Sequence, residues 1–327
     1  MRTTYTNLRK LTARQETVPF VLLVAVLIIS MIISENFRDL GFLLRTSTRY
    51  MELSLTALSM TLIVVAGMID LSVPSIMCCS ATIAALAYHG GLPMGLAMLC
   101  GLLTGVLCGV LNGALVAYLR LPAMIVTIGT MNLIRGISQI LIGDKGVGGL
   151  PAWFNGIDKR LVFQAGNVRF SVTILTFLIA TAVFYLALHR TSFGRMVFSI
   201  GSNEQAAIHS GVNTRLIKMI LFVLSGFIAS IAGLATMSRL LLVRYDMNLN
   251  MEIEVVIMVL LGGADINGGR GSIIGTFVAV ILVIILKTGL ITAHITSDAQ
   301  MAVMGLILLV SIIIPNINTL VQELKDK

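Results

Sequence analysis

Residues 189–218 read HRTSFGRMVFSIGSNEQAAIHSGVNTRLIK and form a long polar, cation-rich segment in a chain that is otherwise mostly apolar. Four cations are spread over this segment, namely Arg190, Arg195, Arg215 and Lys218. Each of these charges would cost roughly 2.5–3.5 kcal/mol or more at the centre of a bilayer. The segment is therefore predicted to project into water between two apolar helices.

The centre of this segment is typical of a short helix with a polar start. Asn203 is a residue type favoured at a helix N-cap, Glu204 follows it, and Gly211 is typical of a helix end. Ala206 and Ala207 between them are small and are expected to share one face. A short helix of this kind suits docking against another protein.

Composition places the chain in the membrane class. Its 327 residues are 57% hydrophobic and 12% charged, whereas about a quarter of residues in soluble domains are charged. Apolar runs leave almost no segment for a soluble domain, so one membrane domain over residues 1–327 is predicted. The net charge of +8 fits acidic lipid headgroups better than nucleic acid, because only 6% of residues are aromatic and no basic helix stands out.

Hydropathy, broken at polar and Gly/Pro positions, predicts about ten membrane-spanning helices, of which the third and eighth are short, tilted, broken or partly re-entrant. Residues 143–169, with Trp153, are predicted to form a long loop on the face opposite residues 190–216. An even number of spans places both termini on one side, and the four Arg/Lys before the first span favour the cytoplasm. The predicted spans are 18–34, 52–68, 75–88, 92–119, 122–142, 170–189, 216–242, 252–266, 272–291 and 298–314.

Residue types that carry catalysis or bind metals are few and scattered. The cysteines lie in apolar segments without CxxC spacing, and they are interpreted as apolar core residues rather than metal or redox ligands. The chain has no phosphate-cradling or dinucleotide motif, and no serine or cysteine is paired in sequence with a histidine. No catalytic residue, metal or cofactor is therefore expected. The cysteines are Cys78, Cys79, Cys100 and Cys108.

A glycine repeat marks the fourth predicted span. Gly101, Gly105, Gly109 and Gly113 recur at every fourth position. At 3.6 residues per turn they form a nearly continuous stripe without side chains, where another helix backbone can approach closely. Helix packing is favoured over the alternative, a gap through which a substrate passes.

Asp70 and Ser72 interrupt an apolar region just before Pro74, which forbids a continuous helix there. They are interpreted either as walls of a polar path or as a helix N-cap at a membrane-surface turn, and the N-cap is favoured.

The fifth span has a polar face, because Asn132, Arg135 and Gln139 lie at i, i+3 and i+7. Exposing that face to lipid would be costly, so it is expected to meet protein or water. The candidate translocation path comprises Asp70, Ser72, Asn112, Thr127, Asn132 and Arg135.

Two further motifs lie near the C-terminus. Glu252 and Glu254 are either a polar outer gate that contacts an external partner or a pair of acids favoured by the dipole of a helix N-terminus. Residues 262–272, GGADINGGRGS, predict a tight reversal between two helices at the inner surface.

In their order along nearly the whole chain, these motifs resemble those of permease subunits of ATP-binding-cassette importers for ribose-type sugars. Two positions depart from the family pattern, since Met68 and Pro74 stand where the family has glycine, and both alter the turn near Asp70. The matching stretches are AGMIDLSVPS at 66–75, NGALVAY at 112–118, LP at 121–122, IVTIGTM at 125–131, RG at 135–136, GR at 194–195, IGSNEQAAIHSG at 200–211, EIE at 252–254, GG at 262–263 and GGRGSIIGT at 268–276.

This resemblance implies an all-α, type II-like importer permease with about ten transmembrane helices in the bacterial cytoplasmic membrane. Two permease subunits, identical or paralogous, would pair in the bilayer and bind a cytoplasmic ATPase and a periplasmic or extracellular sugar-binding protein. Residues 190–216 would contain a coupling helix that sits in a groove of the ATPase. The implied coupling residues are Gly201, Asn203, Glu204, Ala206, Ala207 and Gly211.

Three other functions stay open from the sequence. One is a branched-chain amino-acid importer permease of the same broad type, which the motifs at 66–75 and 200–211 disfavour. Another is an ion-coupled secondary transporter, which normally needs an acidic residue near mid-membrane, whereas Asp70 and Asp265 fall at predicted turns. A scaffold protein is the third, although it leaves the polar face of the fifth span unexplained.

Overall fold

The computed structural model describes residues 17–156, 160–296, 298–307 and 309. The cations that precede the first span lie outside the described residues, and the span predicted at 298–314 is described only in part. The helices are α1 (Thr17–Ile33), α2 (Leu40–Ser47), α3 (Met51–Val65), α4 (Val73–His89), α5 (Met94–Ala117), α6 (Ala123–Ile142), α7 (Val172–Arg190), α8 (Ser192–Ser202), α9 (Glu204–His209), α10 (Thr214–Leu240), α11 (Met251–Leu261), α12 (Ile273–Thr292) and α13 (Asp298–Ile307). Strands β1 (Leu161–Ala165) and β2 (Val168–Ser171) form an antiparallel hairpin between α6 and α7.

The helical membrane fold predicted from composition is confirmed. Within the described ranges, α5, α6, α7, α10 and α12 are each long and apolar enough to cross a membrane by length and composition. Shorter apolar helices lie within α1, α4 and α13. Each predicted span corresponds to one of the helices, whereas α2, α8 and the hairpin were not predicted.

Helix α3 forms the centre of the bundle. All of its residues are buried, and α10, α11, α7 and α12 surround it. Its polar residues do not need water, because hydroxyls bond carbonyls of the preceding turn, as Thr61 does with Ala57 at 2.8 Å. Thr61 also bonds Thr276 of α12 at 2.8 Å. A helix that is mostly apolar on all sides is expected to be buried in this way.

The glycine stripe of α5 lies against its neighbours in the bundle. Gly105, Gly109 and Gly113 face α10, and Gly101 lies against both α4 and α10. A Cβ at Gly105 would overlap the carbonyl oxygen of Gly226, and the converse also holds. The two helix backbones therefore touch directly, as close approach through small residues allows.

We expect Gly105→Ala to destabilise the bundle by about 1–3 kcal/mol, because the added methyl group overfills this contact. Gly95→Ala is the matched control on the same helix, since no atom lies within 4 Å of a Cβ built there. The control should be neutral or slightly stabilising, because Ala has the higher helix propensity. Thermal unfolding midpoints of the two purified variants in detergent test this difference, and equal midpoints would contradict it.

One end of the bundle, here named the α9 end, collects several turns of the chain. The amide of Gly269 donates to the carbonyl of Val65 at 2.8 Å, which joins the 262–272 turn to the end of α3. The amide of Ile273 donates to Nε2 of His189 at 3.3 Å, which joins α12 to the end of α7. Helices α3 and α7 therefore end, and α12 begins, beside the segment that contains α8 and α9.

Helix α1 also starts at the α9 end. It packs along α12, and Ser30 near the end of α1 lies beside Gly289 near the end of α12. The two helices are therefore parallel. The start of α1 lies level with the start of α12, which is at the α9 end.

The opposite end carries most of the non-helical chain. Phe154, in a 3-10 turn at Ala152–Phe154, is fully buried, and Ser238 at the end of α10 donates to its carbonyl. The hairpin turn at Asn167 lies against Gly41 of α2. The described parts of the predicted loop at 143–169 therefore contain a 3-10 turn, strand β1 and the start of β2, which no apolar periodicity in the sequence indicates.

Candidate functional site

The segment between α7 and α10 forms two short helices whose ends are fixed by their own side chains. Thr191 caps α8 by accepting from the amide of Gly194 at 3.3 Å. Asn203 caps α9 by accepting from the amide of Ala206 at 3.0 Å. Gly211 follows α9 with a φ of +84°, the left-handed conformation that glycine adopts without strain. The polar start and glycine stop predicted for α9 are therefore both present.

The two alanines of α9 lie on different faces. Ala206 is exposed, whereas Ala207 is only 3% exposed and contacts the core of the chain. Ile208 is 45% exposed beside the exposed ring of His209. The expectation from the sequence that Ala206 and Ala207 share one docking face is therefore wrong. The register of α9 turns the side chain of Ala207 toward the core. The outer face presents Ala206, Ile208 and His209.

Glycines hold this surface against the core helices. A Cβ at Gly201 would overlap the carbonyl oxygen of Val65, and one at Gly268 would lie 2.7 Å from the backbone of Gly67. Gly67, Gly201 and Gly268 therefore meet backbone to backbone, and this contact is named the glycine junction. It joins the end of α8 to the end of α3 and to the turn that precedes α12. The glycine-rich motif at 262–272 serves this close approach.

An ion pair fixes the orientation of α9 from the other side. Oε1 of Glu204 lies 2.6 Å from Nζ of Lys218 in α10. The acid is also at the first position of α9, where the helix dipole favours a negative charge. The pair therefore attaches α9 to α10, and the glycine junction attaches the preceding helix α8 to α3 and to the turn before α12.

Asp70 lies at the centre of a buried hydrogen-bond network at the turn between α3 and α4. Its Oδ1 accepts from the amide of Ser72 at 3.0 Å and from the Ser72 hydroxyl. Its Oδ2 accepts from the hydroxyl of Ser225 in α10 at 2.9 Å. Asn112 of α5 donates to Ser72 at 2.7 Å. The carboxylate therefore links the α3–α4 turn to α5 and α10.

The turn at Asp70 accommodates both residues that depart from the family pattern. Gly67 supplies the positive φ, +76°, so that Met68 takes a buried position in the core. Pro74 lies in the first turn of α4, where a helix needs no amide donor. Both departures are thus accommodated locally.

The candidate path residues separate into two groups. Asp70, Ser72, Asn112 and Thr127 are fully buried in side-chain contacts. Thr127 donates to the carbonyl of Ile69 at 3.3 Å. The geometry thus gives these four residues a bridging role between helices. The other two belong to α6, where Asn132 is exposed and Arg135 is half-buried.

No group of three or more His, Cys, Asp or Glu residues placed to hold a metal ion occurs in the parts of the chain that the structure covers. The cysteines are free thiols within α4 and α5.

Comparisons with known proteins agree with the motifs. The family model described as "Branched-chain amino acid transport system / permease component" matches residues 42–312. Relatives named "Autoinducer 2 import system permease protein LsrD" occur in Escherichia coli (strain SMS-3-5 / SECEC), Escherichia coli O9:H4 (strain HS) and Shigella flexneri. Each is 32% identical over 314 residues, which cover 93% of this chain and 94% of the relative. The chain belongs to this permease family. No solved structure matches.

Family membership confirms the resemblance to importer permeases that the sequence motifs showed. The chain is a multi-pass membrane permease and a transport component of an import system. Its motif residues at 200–211 and 262–276 correspond to the α9 surface and the glycine junction.

Two ion pairs of the permease lie near the start of α3, away from the α9 end. The sequence predicted them only in part. Oε1 of Glu254 in α11 lies 2.7 Å from Nζ of Lys287 in α12, which also stands 5.5 Å from the ring centroid of Tyr50. Oε1 of Glu52 in α3 lies 2.8 Å from Nε of Arg239 in α10. Glu254 was predicted to be a gate or a dipole-favoured acid, and its ion pair is a third role. The available signal for Lys287 was a lone charge inside an apolar run.

We expect Arg239→Met to destabilise the permease by about 3 kcal/mol, because the buried carboxylate of Glu52 loses its guanidinium partner. The double variant Glu52→Gln/Arg239→Gln should recover most of this loss, since both members of the ion pair are then neutral. Detergent melting curves of the single and double variants measure the coupling. Equal destabilisation by both would show that charge compensation is not the cause.

Proposed function

We propose that this chain is the membrane-spanning subunit of an ATP-driven importer that moves a small sugar-like solute across the bacterial cytoplasmic membrane. A separate cytoplasmic ATPase hydrolyses ATP, and the α9 surface is its docking site on the permease. The observation that carries this proposal is the exposed surface of α9. It presents an apolar side chain, Ile208, on a polar segment, and an ion pair attaches that segment to the core helices. Gly201, Asn203, Glu204, Ala206 and Gly211 shape that surface, and Ala207 anchors it.

The mechanism follows from how α9 is attached. Closure of the ATPase displaces α9, and the glycine junction passes the displacement to α3 and to the turn before α12. Backbone-to-backbone contact has no flexible side chain to absorb the motion. The two states of the permease then differ in how they dock the ATPase outside the bilayer. That difference in docking free energy supplies the coupling.

The proposal also fixes the orientation of the chain. The whole chain acts as one permease domain, with both termini and the 190–216 coupling loop in the cytoplasm. Its support is the shared location of α9 and the start of α1, together with the four cations that precede α1. Residues 143–169 then lie outside, where an external sugar-binding protein docks. A second permease subunit, identical or paralogous, completes the pathway.

A sugar-like solute is favoured over a branched-chain amino acid. The relatives that match along nearly their full length are named for import of autoinducer 2. The description of the family model is the observation that keeps a branched-chain amino acid as the second candidate. An ion-coupled mechanism has less support, because Asp70 is bonded by two serines and bridges helices.

Uptake by the reconstituted complex tests the proposal. Proteoliposomes that contain the permease, its ATPase and its binding protein should accumulate autoinducer 2 or ribose only when ATP is present on the ATPase side. Leucine serves as the competing solute. ATP-driven uptake of leucine alone would establish the second candidate, and solute accumulation by the permease alone in an ion gradient would refute the proposal.

A further inference from the structure

Residues 241–250, between α10 and α11, re-enter the bundle instead of staying at its surface. Val243 pairs with Val147 of the outer loop. The thiol of Cys78 then donates to the carbonyl of Arg244 at 3.4 Å. Cys78 lies in the second turn of α4, eleven residues before His89, so this contact lies about 16 Å along α4 from the end of that helix.

Arg135 of α6 holds this loop in place. Its guanidinium donates to the carbonyl of Tyr245 at 2.7 Å and to that of Met247 at 3.1 Å. Its Nε also donates to Ser75 of α4 at 3.2 Å. The loop backbone includes two asparagines with positive φ, Asn248 and Asn250. Non-helical backbone at membrane depth is tolerated only where protein or water surrounds it.

Part of this loop is open to its surroundings. Arg244 and Asp246 form an ion pair at 2.8 Å, and their side chains are 49% and 33% exposed. Asn250 is exposed as well. A charged pair and an amide at this depth would be costly against hydrocarbon. The charged and amide side chains of the loop are therefore expected to meet water or protein rather than lipid.

The exposed face of α6 next to the loop also carries polar side chains. Asn132 and Gln139 are exposed and share a face with Arg135, which lies between them in sequence. Gly129 and Gly136 continue this face, and no atom of the described residues lies within 4 Å of a Cβ built at either. The face is thus polar and open.

We propose that α6 and the 244–250 loop form one wall of a water-filled recess that extends from the end of α6 toward mid-membrane and binds a small solute with several hydroxyl groups. This inference rests on the proposed function and assigns its solute-facing residues: Asn132, Gln139, Tyr245 and Asn250. Amides and a phenol both donate and accept hydrogen bonds, which matches hydroxyl groups, and the Arg244–Asp246 pair is internally neutral. The buried residues Asp70, Ser72, Asn112 and Thr127 do not belong to this wall.

Cysteine accessibility tests the wall. In membrane vesicles that carry the assembled transporter, Asn132→Cys and Gln139→Cys are treated from both sides with a membrane-impermeant methanethiosulfonate. The chain with its native cysteines gives the blank. Leu133→Cys and Ile140→Cys are the matched controls, since each lies one residue farther at the same depth on the adjacent apolar face, and both are exposed. The test positions should react about ten-fold faster or more, because the reacting thiolate forms only in water.

Two outcomes would overturn the wall. Equal rates at test and control positions would show that the polar face is not distinguished from the lipid face. Unreactive Asn132→Cys that instead forms a disulfide between two permease copies would show that the face is a subunit contact. As a second measurement, Gly136→Trp should abolish solute uptake while the ATPase still co-purifies.

The result is separable from the proposed function. ATP-driven uptake by the wild-type complex in the same vesicles decides whether the chain is an importer subunit. If that uptake is present and the labelling fails, only the wall is wrong. If labelling succeeds without any ATP-driven uptake, the importer proposal fails, and the assignment of the recess to an imported solute fails with it.

Discussion

Replacing Ala206 by Trp is expected to abolish ATP-driven uptake while the permease still inserts and folds. Ala206 is exposed at the start of α9, within the proposed docking surface. A bulky ring there is expected to hold α9 away from the ATPase surface proposed to receive it. A loss of about 3 kcal/mol, usual for a central interface position, weakens ATPase binding by roughly two orders of magnitude. Co-purification of the ATPase and uptake into proteoliposomes measure the loss.

The neighbouring alanine provides the discriminating comparison. Ala206→Ser keeps the side chain small and should retain uptake. Ala207→Trp should instead lower the thermal midpoint of the isolated permease, because Ala207 is buried in the chain itself and overpacking costs about 1–3 kcal/mol. Retained ATPase binding and uptake in Ala206→Trp would place the docking surface elsewhere.

The sequence predicts the spans of this permease well because hydropathy is a local property. The glycine stripe on α5 was also readable, since its spacing depends on one helix alone. Which helix meets the stripe could not be read, because Gly226 is 121 residues from Gly105 in sequence. The hairpin at 161–171 was missed for a related reason. Its strand residues alternate poorly in burial, and β1 is exposed throughout.

The candidate site shows the same division between local and distant information. Asn203 and Gly211 at the ends of α9 follow local rules of capping. In the structure Asn203 is the N-cap of α9, and Gly211 follows the helix with a positive φ. The inward direction of Ala207 depends on where α9 meets the core, which six residues cannot encode by themselves. Arg135 was recognised as part of a polar face, but its carbonyl partners lie 110 and 112 residues away.

Asp70 makes one contact that is close in sequence and one that is distant in sequence. Its bond to the amide of Ser72 is local, but the favoured N-cap interpretation is wrong, because Ser72 stands at the N-cap of α4 without a side-chain cap bond and Asp70 bonds an amide that precedes the helix. The bond to Ser225 spans 155 residues and could not be inferred. The carboxylate is therefore a bridge between helices in addition to a local turn former. A bridge of this kind is expected to control the stability of the α3–α4 turn more than the passage of solute.

Asp70→Leu is accordingly expected to destabilise the permease severely, by on the order of 5 kcal/mol, because the Ser72 amide, the Ser72 hydroxyl and the Ser225 hydroxyl all lose their acceptor inside the protein. The matched control is Asp70→Asn, which has nearly the same shape and keeps one acceptor oxygen, so it should cost less than half as much. Yield of monodisperse protein and thermal midpoint in detergent rank the two variants.

Transport separates this bridging role from a role in the path. If Asp70 only bridges helices, the Asp70→Asn permease that does fold should import solute with an unchanged apparent affinity, and only its amount in the membrane should fall. A folded Asp70→Asn complex with normal yield and a weakened apparent affinity would instead place the carboxylate beside the solute. That result would also require an opening toward Asp70, whose side chain is fully buried between α5 and α10 in the state described. The buried network would then have to separate during each transport cycle.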